Sequence, residues 1–431
     1  MKKPFEPFRV EITGLHADGH GITGDPQLRI IGALPGEVVT ALPITVKKKK
    51  IFAKVIEVHN ASADRVEPPC PGANICGGCS LQHLDTQRQI AHKQSLLVQE
   101  LGDTQPQHFY SPLMGPVEHY RSKARLGVRF VEKKDRVLVG FREKMKPFIA
   151  DVPGCHTLRE PVSALLPQLS ELISSLSISR SIPQIEVAVG TRSVALVFRH
   201  LEELLETDLE LFRLFSAKYE IDIYLQPGNA ESVYKLFPAD ENERLVYELP
   251  ELDLSFSFHP LDFTQINHSI NRAMVLFAID LLALNLSDRV FDGFCGIGNF
   301  SLALARKAAF VTGVESSPAS IDRAQENAYQ NGIFNCQFKV QDLFAAGLEI
   351  PGLQEANKVL LDPPRSGALQ VCKKLATHPV ERVVYVSCNP VTFASDAAFL
   401  VANGYRFEGV GVIDMFPHTT HVESIGCFSQ S

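Results

Sequence analysis

"FDGFCGIGNFSLALA", residues 291–305, decides the fold. Apolar Phe291 leads into a turn that carries Gly296 and Gly298, and an apolar helical run follows. Strand, glycine turn and helix in this order open a nucleotide-binding unit, because glycine lets the backbone approach a ligand at a helix N-terminus. Working outward, "FVTGVE" (310–315), "CQFKVQD" (336–342), "NKVLLDPP" (357–364) and "RVVYVSCNP" (382–390) are apolar runs that end in polar residues. Helical patterns separate them: "NFSLALARKA" (299–308), "SPASIDRAQENAYQNG" (317–332), "LQVCKKLAT" (369–377) and "PVTFASDAAFLVANG" (390–404). The alternation predicts a doubly wound, mostly parallel α/β sheet in a Rossmann-like domain over residues 251–431.

Dinucleotide binding needs a third glycine around the pyrophosphate, and here Asn299 and Phe300 occupy that stretch. The loop suits an adenosyl group without pyrophosphate, so S-adenosylmethionine is expected over NAD. Glu315 ends the second strand, where a carboxylate can accept hydrogen bonds from both ribose hydroxyls. Asp342 ends the third strand, placed to meet an adenine amino group, and Asp362 ends the fourth at the pocket floor.

Cys388 stands where the fifth strand stops, in "VVYVSCNP" (383–390). A lone cysteine is most often a small buried hydrophobe. Beside a methyl donor it has a second use. Carbon 5 of a pyrimidine is too weak a nucleophile to take a methyl group unaided, and a thiolate added at carbon 6 makes it an enolate. Such a cysteine needs a lowered pKa, and a base must then remove the carbon 5 proton. "DMFPHTTHVES" (414–424), a proline-bent stretch between two apolar strands, offers Asp414, His418, His421 and Glu423. The plainer reading is a hairpin with solvated polar groups. "DPPRSG" (362–367) lacks the second cysteine of cytosine-5 RNA enzymes, and Arg365 replaces the aromatic residue typical of enzymes that methylate exocyclic nitrogens. Both comparisons favour uracil.

The chain has 431 residues, 45% hydrophobic and 21% charged, which suits a globular protein of two or three domains. "MKKPFEPFRVEITG" lacks the apolar run of a signal peptide, and no stretch is long enough to cross a membrane, so a cytoplasmic protein with no membrane partner is expected. No obligate protein partner is evident. Net charge is −7, yet residues 1–60 hold nine Lys/Arg against six Asp/Glu, and residues 117–150 hold ten against four. Two basic segments on an acidic body suit a directed polyanion such as RNA, with Lys47, Lys48, Lys49, Lys50, Arg121, Lys123 and Arg125 as candidate phosphate contacts. Short strands and Gly/Pro turns over residues 1–61 predict a small β-barrel with the four lysines along a strand edge. Residues 62–250 are expected to form an α+β middle domain, with 80–105 helical and parts of 90–120 able to pack on the C-terminal domain.

"CPGANICGGC" (70–79) supplies Cys70, Cys76 and Cys79, with Gly77 and Gly78 free to wrap tightly around a metal. Three thiols at this spacing point to a site. Cys155 in "DVPGCHTL" (151–158) is the best fourth ligand, with His83 and His156 as rivals. Spacing alone leaves zinc and iron–sulfur equal. Cys295, Cys336, Cys372 and Cys427 read as packing residues.

Together "FDGFCGIGNF", "LLDPPRSG", "VSCNP", "DMFPHTTHVES" and "DFTQIN" (262–267) resemble the RNA uracil-5-methyltransferases that use S-adenosylmethionine, over nearly the whole chain. The resemblance implies Cys388 as nucleophile, Glu423 as base, and Gln265, Phe294, Asn299, Glu315, Asp342 and Asp362 around the cofactor. It implies a [4Fe–4S] cluster on Cys70, Cys76, Cys79 and Cys155, structural in role, and an OB-like TRAM barrel that binds RNA. It also implies a flipped uracil, for which Phe263 is either a stacking partner or an ordinary core residue. The tRNA branch of the family lacks barrel and cluster; a chain with both is similar to the branch that acts on 23S rRNA. Another rRNA site, or tRNA, stays open. Two other classes remain as rivals: a radical methylthiotransferase, whose cysteine triad is spaced more tightly, and an RNA-binding adaptor with a dead site. Asp342 departs from the family's expected asparagine, and Gly293 from a larger apolar residue.

Overall fold

A computed structural model describes residues 6–239, 243–345, 347 and 349–430. Its largest sheet has eight strands in the spatial order Cys336–Val340, Phe310–Glu315, Arg289–Gly293, Lys358–Leu361, Arg382–Ser387, Glu423–Gln430, Tyr405–Ile413 and His108–Phe109. The first five run parallel. Glu423–Gln430 enters antiparallel, and Tyr405–Ile413 pairs antiparallel with it. Strand order reverses beside Arg289–Gly293, which opens a crevice at the carboxyl ends of that strand and of Lys358–Leu361. Val383, Val384, Tyr385 and Val386 are all buried, as expected of a strand covered on both faces.

Local signals explain where these elements stop. The side chain of Asn389 accepts from the Val391 N–H and caps the helix Pro390–Ala402, whose first residue is the proline. The sequence Ser-Cys-Asn-Pro thus ends one strand and starts the next helix, with Cys388 at the hinge between them. Ser317 and Pro318 do the same for Pro318–Gln330. Gly293 has a packing reason: a Cβ there would come within 2.9 Å of both Leu361 and Phe291.

Two elements from early in the chain complete this sheet. The helix Thr86–Leu101 lies against Pro390–Ala402 and buries Leu97 and Leu101 in the same core as Tyr385 and Leu400. His108 and Phe109 pair parallel with Gly409 and Val410. Residues 86–109 therefore pack with the C-terminal sheet, as expected for parts of 90–120, with the packing starting a few residues earlier at Thr86. The hairpin Leu245–Leu249/Leu254–Phe258 straddles the expected boundary at 250, and its Tyr247, Phe256 and Phe258 join the C-terminal core.

The middle sheet has the order Tyr234–Phe237, Asp222–Gln226, Val194–Arg199, Gln184–Val189, Lys123–Val131 and Arg136–Gly140, with helices Leu166–Ser174 and Glu206–Tyr219. At the N-terminus six strands pair in the order Phe8–Glu11, Val38–Lys47, Lys50–Asn60, Leu28–Ile31, Gly21–Ile22 and Gly14–Leu15, around a small core of Ile12, Ile30, Ala33, Val39, Ala41 and Ala53. The four lysines form a hairpin tip instead of a strand edge. Lys47 and Lys50 are register partners, and Lys48 and Lys49 make the turn with φ of 49° and 63°. A two-residue turn needs positive φ at both positions, and Asn-Gly would meet that need without strain. Among the described residues no helix is long and apolar enough to cross a membrane.

Candidate active site

Register brings the two reactive groups together. Ser387 pairs with Ser424 across antiparallel strands, so Cys388, one residue on, comes beside Glu423, one residue back. Both line a cavity of about 450 Å³ with Asp362 and Arg365, which follow the strand Lys358–Leu361. Gln265, Phe294, Asn299 and Glu315 line the same cavity.

Their contacts differ. Phe294 holds a φ of 66°, a left-handed conformation that costs about 1–3 kcal/mol in a residue other than glycine. Its N–H donates to the Val314 carbonyl at 2.8 Å, and its ring centroid lies 5.5 Å from that of Phe344. Glu315 Oε1 accepts from the N–H groups of Ser316 (2.7 Å) and Ser317 (3.1 Å), which fixes that carboxylate. The Asn299 amide is already bonded. Its Oδ1 accepts from Tyr247 and Asn271 at 2.9 Å, and its Nδ2 donates to Asn271 Oδ1 at 2.9 Å. Asn299 therefore anchors the glycine turn. Asp342 lies to one side, lining a separate cavity of about 230 Å³ with Gln341 and Lys373. Its Oδ1 accepts from the Phe344 N–H at 2.9 Å, so it shapes the main cavity through Phe344. Phe263 is 76% exposed and lines the main cavity, which removes core packing as its explanation.

Electrostatics set the protonation states. Burial pushes Asp362 up to about 7. Burial and the Asp362 carboxyl push Glu423 up to about 8, against the pull of the Lys93 ammonium. Cys388 was expected to carry a lowered pKa. Instead burial pushes its thiol up, Glu423 and Asp362 push further, and Arg365 opposes them. Two carboxyl groups and desolvation outweigh one guanidinium. Of the four base candidates, three have engaged side chains: Asp414 with Lys93 at 2.7 Å, His418 with Gln89 at 3.2 Å, and His421 with Arg365 at 2.9 Å. Glu423 is buried, and its Oε2 has no hydrogen-bond partner among the described residues.

Lys93, Gln89, Tyr247 and Asn271 had not been singled out from the sequence. A signal existed for one of them. Ile90, Lys93, Leu97 and Leu101 lie on one face of Thr86–Leu101, and all four are buried. A lysine inside an apolar stripe is the exception that marks a buried partner.

Cys70, Cys76, Cys79 and Cys155 line one small enclosed cavity, together with His156 but without His83. Burial pushes the thiol of Cys76 up and that of Cys79 up to about 12, and neighbouring cysteines add to both. Among the described residues no three His, Cys, Asp or Glu side chains gather closely enough to hold a metal ion. Cys295, Cys372 and Cys427 are buried and Cys336 is partly so; Cys295 also lines the active-site cavity.

The profile of the tRNA (Uracil-5-)-methyltransferase family matches residues 85–430. Over 440 residues the chain is 44% identical to the 23S rRNA (uracil(1939)-C(5))-methyltransferase RlmD of Hahella chejuensis, covering 100% of this chain and 99% of that one. The protein of the same description from Alkalilimnicola ehrlichii is 46% identical over 434 residues, covering 99% and 97%. In fold, the chain resembles the crystal structure of Pyrococcus abyssi tRNA (uracil-54, C5)-methyltransferase in complex with S-adenosyl-L-homocysteine, at a TM-score of 0.78 and 24% identity over 97% of this chain and 99% of that one. The strand order and this likeness define a Rossmann-like fold. The chain belongs to the uracil-5-methyltransferase family.

Proposed function

We propose that the protein methylates carbon 5 of a uracil in 23S rRNA, the uracil(1939) named for its relatives. The observation that carries this reading is the pairing of Cys388 with Glu423 in one cavity beside Gln265, Phe294 and Glu315. When bound, S-adenosylmethionine supplies an electrophilic methyl group. Gln265, Phe294, Glu315 and Asp362 would contact it, Asn299 would hold the loop, and Asp342 would support Phe344. The Cys388 thiol loses its proton to solvent, the thiolate sulfur forms a bond to carbon 6 of the flipped base, and the electron pair of the carbon 5–carbon 6 double bond moves onto carbon 5 and the carbon 4 oxygen. Carbon 5 then takes the methyl group as the bond from that methyl to the cofactor's sulfonium breaks, which leaves S-adenosylhomocysteine. Glu423 in its carboxylate form removes the carbon 5 proton, the double bond re-forms, and the sulfur leaves. Exposed Phe263 would stack on the target base.

Cys70, Cys76, Cys79 and Cys155 would hold a [4Fe–4S] cluster. The four thiols line one cavity, which supports a shared ligand over four separate packing cysteines, and four cysteines are the usual ligand set of such a cluster. No step of methyl transfer needs it. The six-stranded N-terminal sheet would act as a TRAM-type barrel and present its lysine tip to RNA phosphates.

Mass-spectrometric mapping of rRNA and tRNA from a deletion strain tests the reading. Loss of one 5-methyluracil from 23S rRNA, restored in vitro without a reductant, is expected. Loss confined to tRNA, or a need for a reductant, would overturn it.

A further inference from the structure

We propose that Lys93 is a positioning residue for the base Glu423: its buried ammonium anchors the 414–423 loop that leads into Glu423 and brings a positive charge to that end of the site. The inference rests on Glu423 acting as the base. Lys93 is fully buried, and its Nζ donates to Asp414 Oδ1 at 2.7 Å and to the Phe416 carbonyl at 2.9 Å. Asp414 directly follows Ile413, the register partner of Glu423. One turn earlier on the same helix, Gln89 Oε1 accepts from the His418 N–H at 2.9 Å. Tyr120 donates to the Pro417 carbonyl at 2.9 Å.

These other contacts could hold the loop without a charge. A buried ion pair is a poor source of stability, because desolvation offsets the attraction. The ammonium therefore calls for a use beyond anchoring, and Glu423 supplies one. The charged and titratable groups around Glu423 are Asp362, Cys388 and Arg365 at the neighbouring strand ends, Asp414, His418 and His421 on its own loop, and Lys93 on the helix. Lys93 favours the Glu423 carboxylate, against burial and Asp362.

The test follows decay of the covalent Cys388–RNA adduct against pH, on denaturing gels, in single-turnover reactions with full-length protein, 23S rRNA fragment and S-adenosylmethionine. Lys93→Met should move the midpoint of the rise to higher pH. A midpoint one pH higher slows decay about tenfold on its acid side. Asp414→Asn keeps the cation and removes its counter-charge, so the midpoint should move to lower pH. A merely structural loosening would slow both variants without opposite shifts. If Lys93→Met does not fold, Asp414→Asn alone decides by its direction. Midpoints equal to wild type, or shifted the same way in both, overturn the inference. Glu423→Gln separates the two ideas. If it turns over normally, the base reading itself fails. If it traps the adduct while the other two keep the wild-type profile, only the role of Lys93 fails.

Discussion

Cys388 stands at the end of a strand paired in register on both sides, while Cys70, Cys76 and Cys79 stand in a run of turns closed by Gly77 and Gly78. The sheet places the first sulfur beside Glu423 whether or not anything is bound. The turns hold the other three near Cys155 through isolated bonds and no strand ladder, such as the Gly77 N–H to the Arg142 carbonyl and the Lys144 N–H to the Ile75 carbonyl, both at 2.8 Å. Geometry fixed by a sheet persists without its ligand; geometry fixed by a loop depends on what fills it. The two regions should therefore respond differently to losing one sulfur.

Cys388→Ala should lower methylation by at least about 10³-fold, because it removes the proposed attacking atom. Cofactor binding, measured by calorimetry, and the melting temperature should stay near wild type. Residual turnover close to wild type would break the comparison on the catalytic side. With the four cysteines holding the proposed cluster, Cys155→Ser should do the opposite: lose iron and its visible absorbance, and cost roughly 2–5 kcal/mol of stability, the range for removing a covalent staple. An unchanged spectrum would move the fourth-ligand role to His156.

Glu423 gives a smaller effect with a definite sign. Folded, it keeps its proton up to about pH 8, against an ordinary value of 4.5. The folded state binds more protons in that window, so this group's contribution to stability falls as pH rises through it. Glu423→Gln removes the loss. Its advantage over wild type should be larger at pH 8 than at pH 5, by on the order of 1–3 kcal/mol. Thermal melts at the two pH values would show it, and an equal difference at both would mean that the carboxyl is not desolvated. Smallest in stability is the lysine tip. Replacing Lys48 by Asn and Lys49 by Gly should relieve about 1–2 kcal/mol of left-handed strain. It should also flatten the salt dependence of RNA binding by about two units, measured by titration at several salt concentrations. An unchanged slope would take the tip out of the RNA contact.

Most of the large sheet was legible because its strands are short apolar runs that end in polar residues, and "LQVCKKLAT" matches the helix Leu369–Thr377 residue for residue. Cys388 was legible as a candidate because it sits where an apolar strand stops, whereas the pattern left Asp414, His418, His421 and Glu423 equal and only the family resemblance singled out Glu423. The edge strand His108–Phe109 was not: two residues carry no period. Lys93 could be seen as a charge in an apolar stripe, but its partner, 321 residues away, could not. The shift of Cys388 could not be read either, because it depends on two carboxyl groups from other strands.

That separation of 321 residues has a consequence for how the chain is made. At about 5–20 residues per second, helix Thr86–Leu101 leaves the ribosome on the order of tens of seconds before Asp414 exists. During that interval Ile90, Leu97 and Leu101 have no core to enter, and Lys93 keeps them company as a hydrated charge on an otherwise sticky face. The residue that ends up fully buried against the 414–423 loop spends that interval as a charge in water.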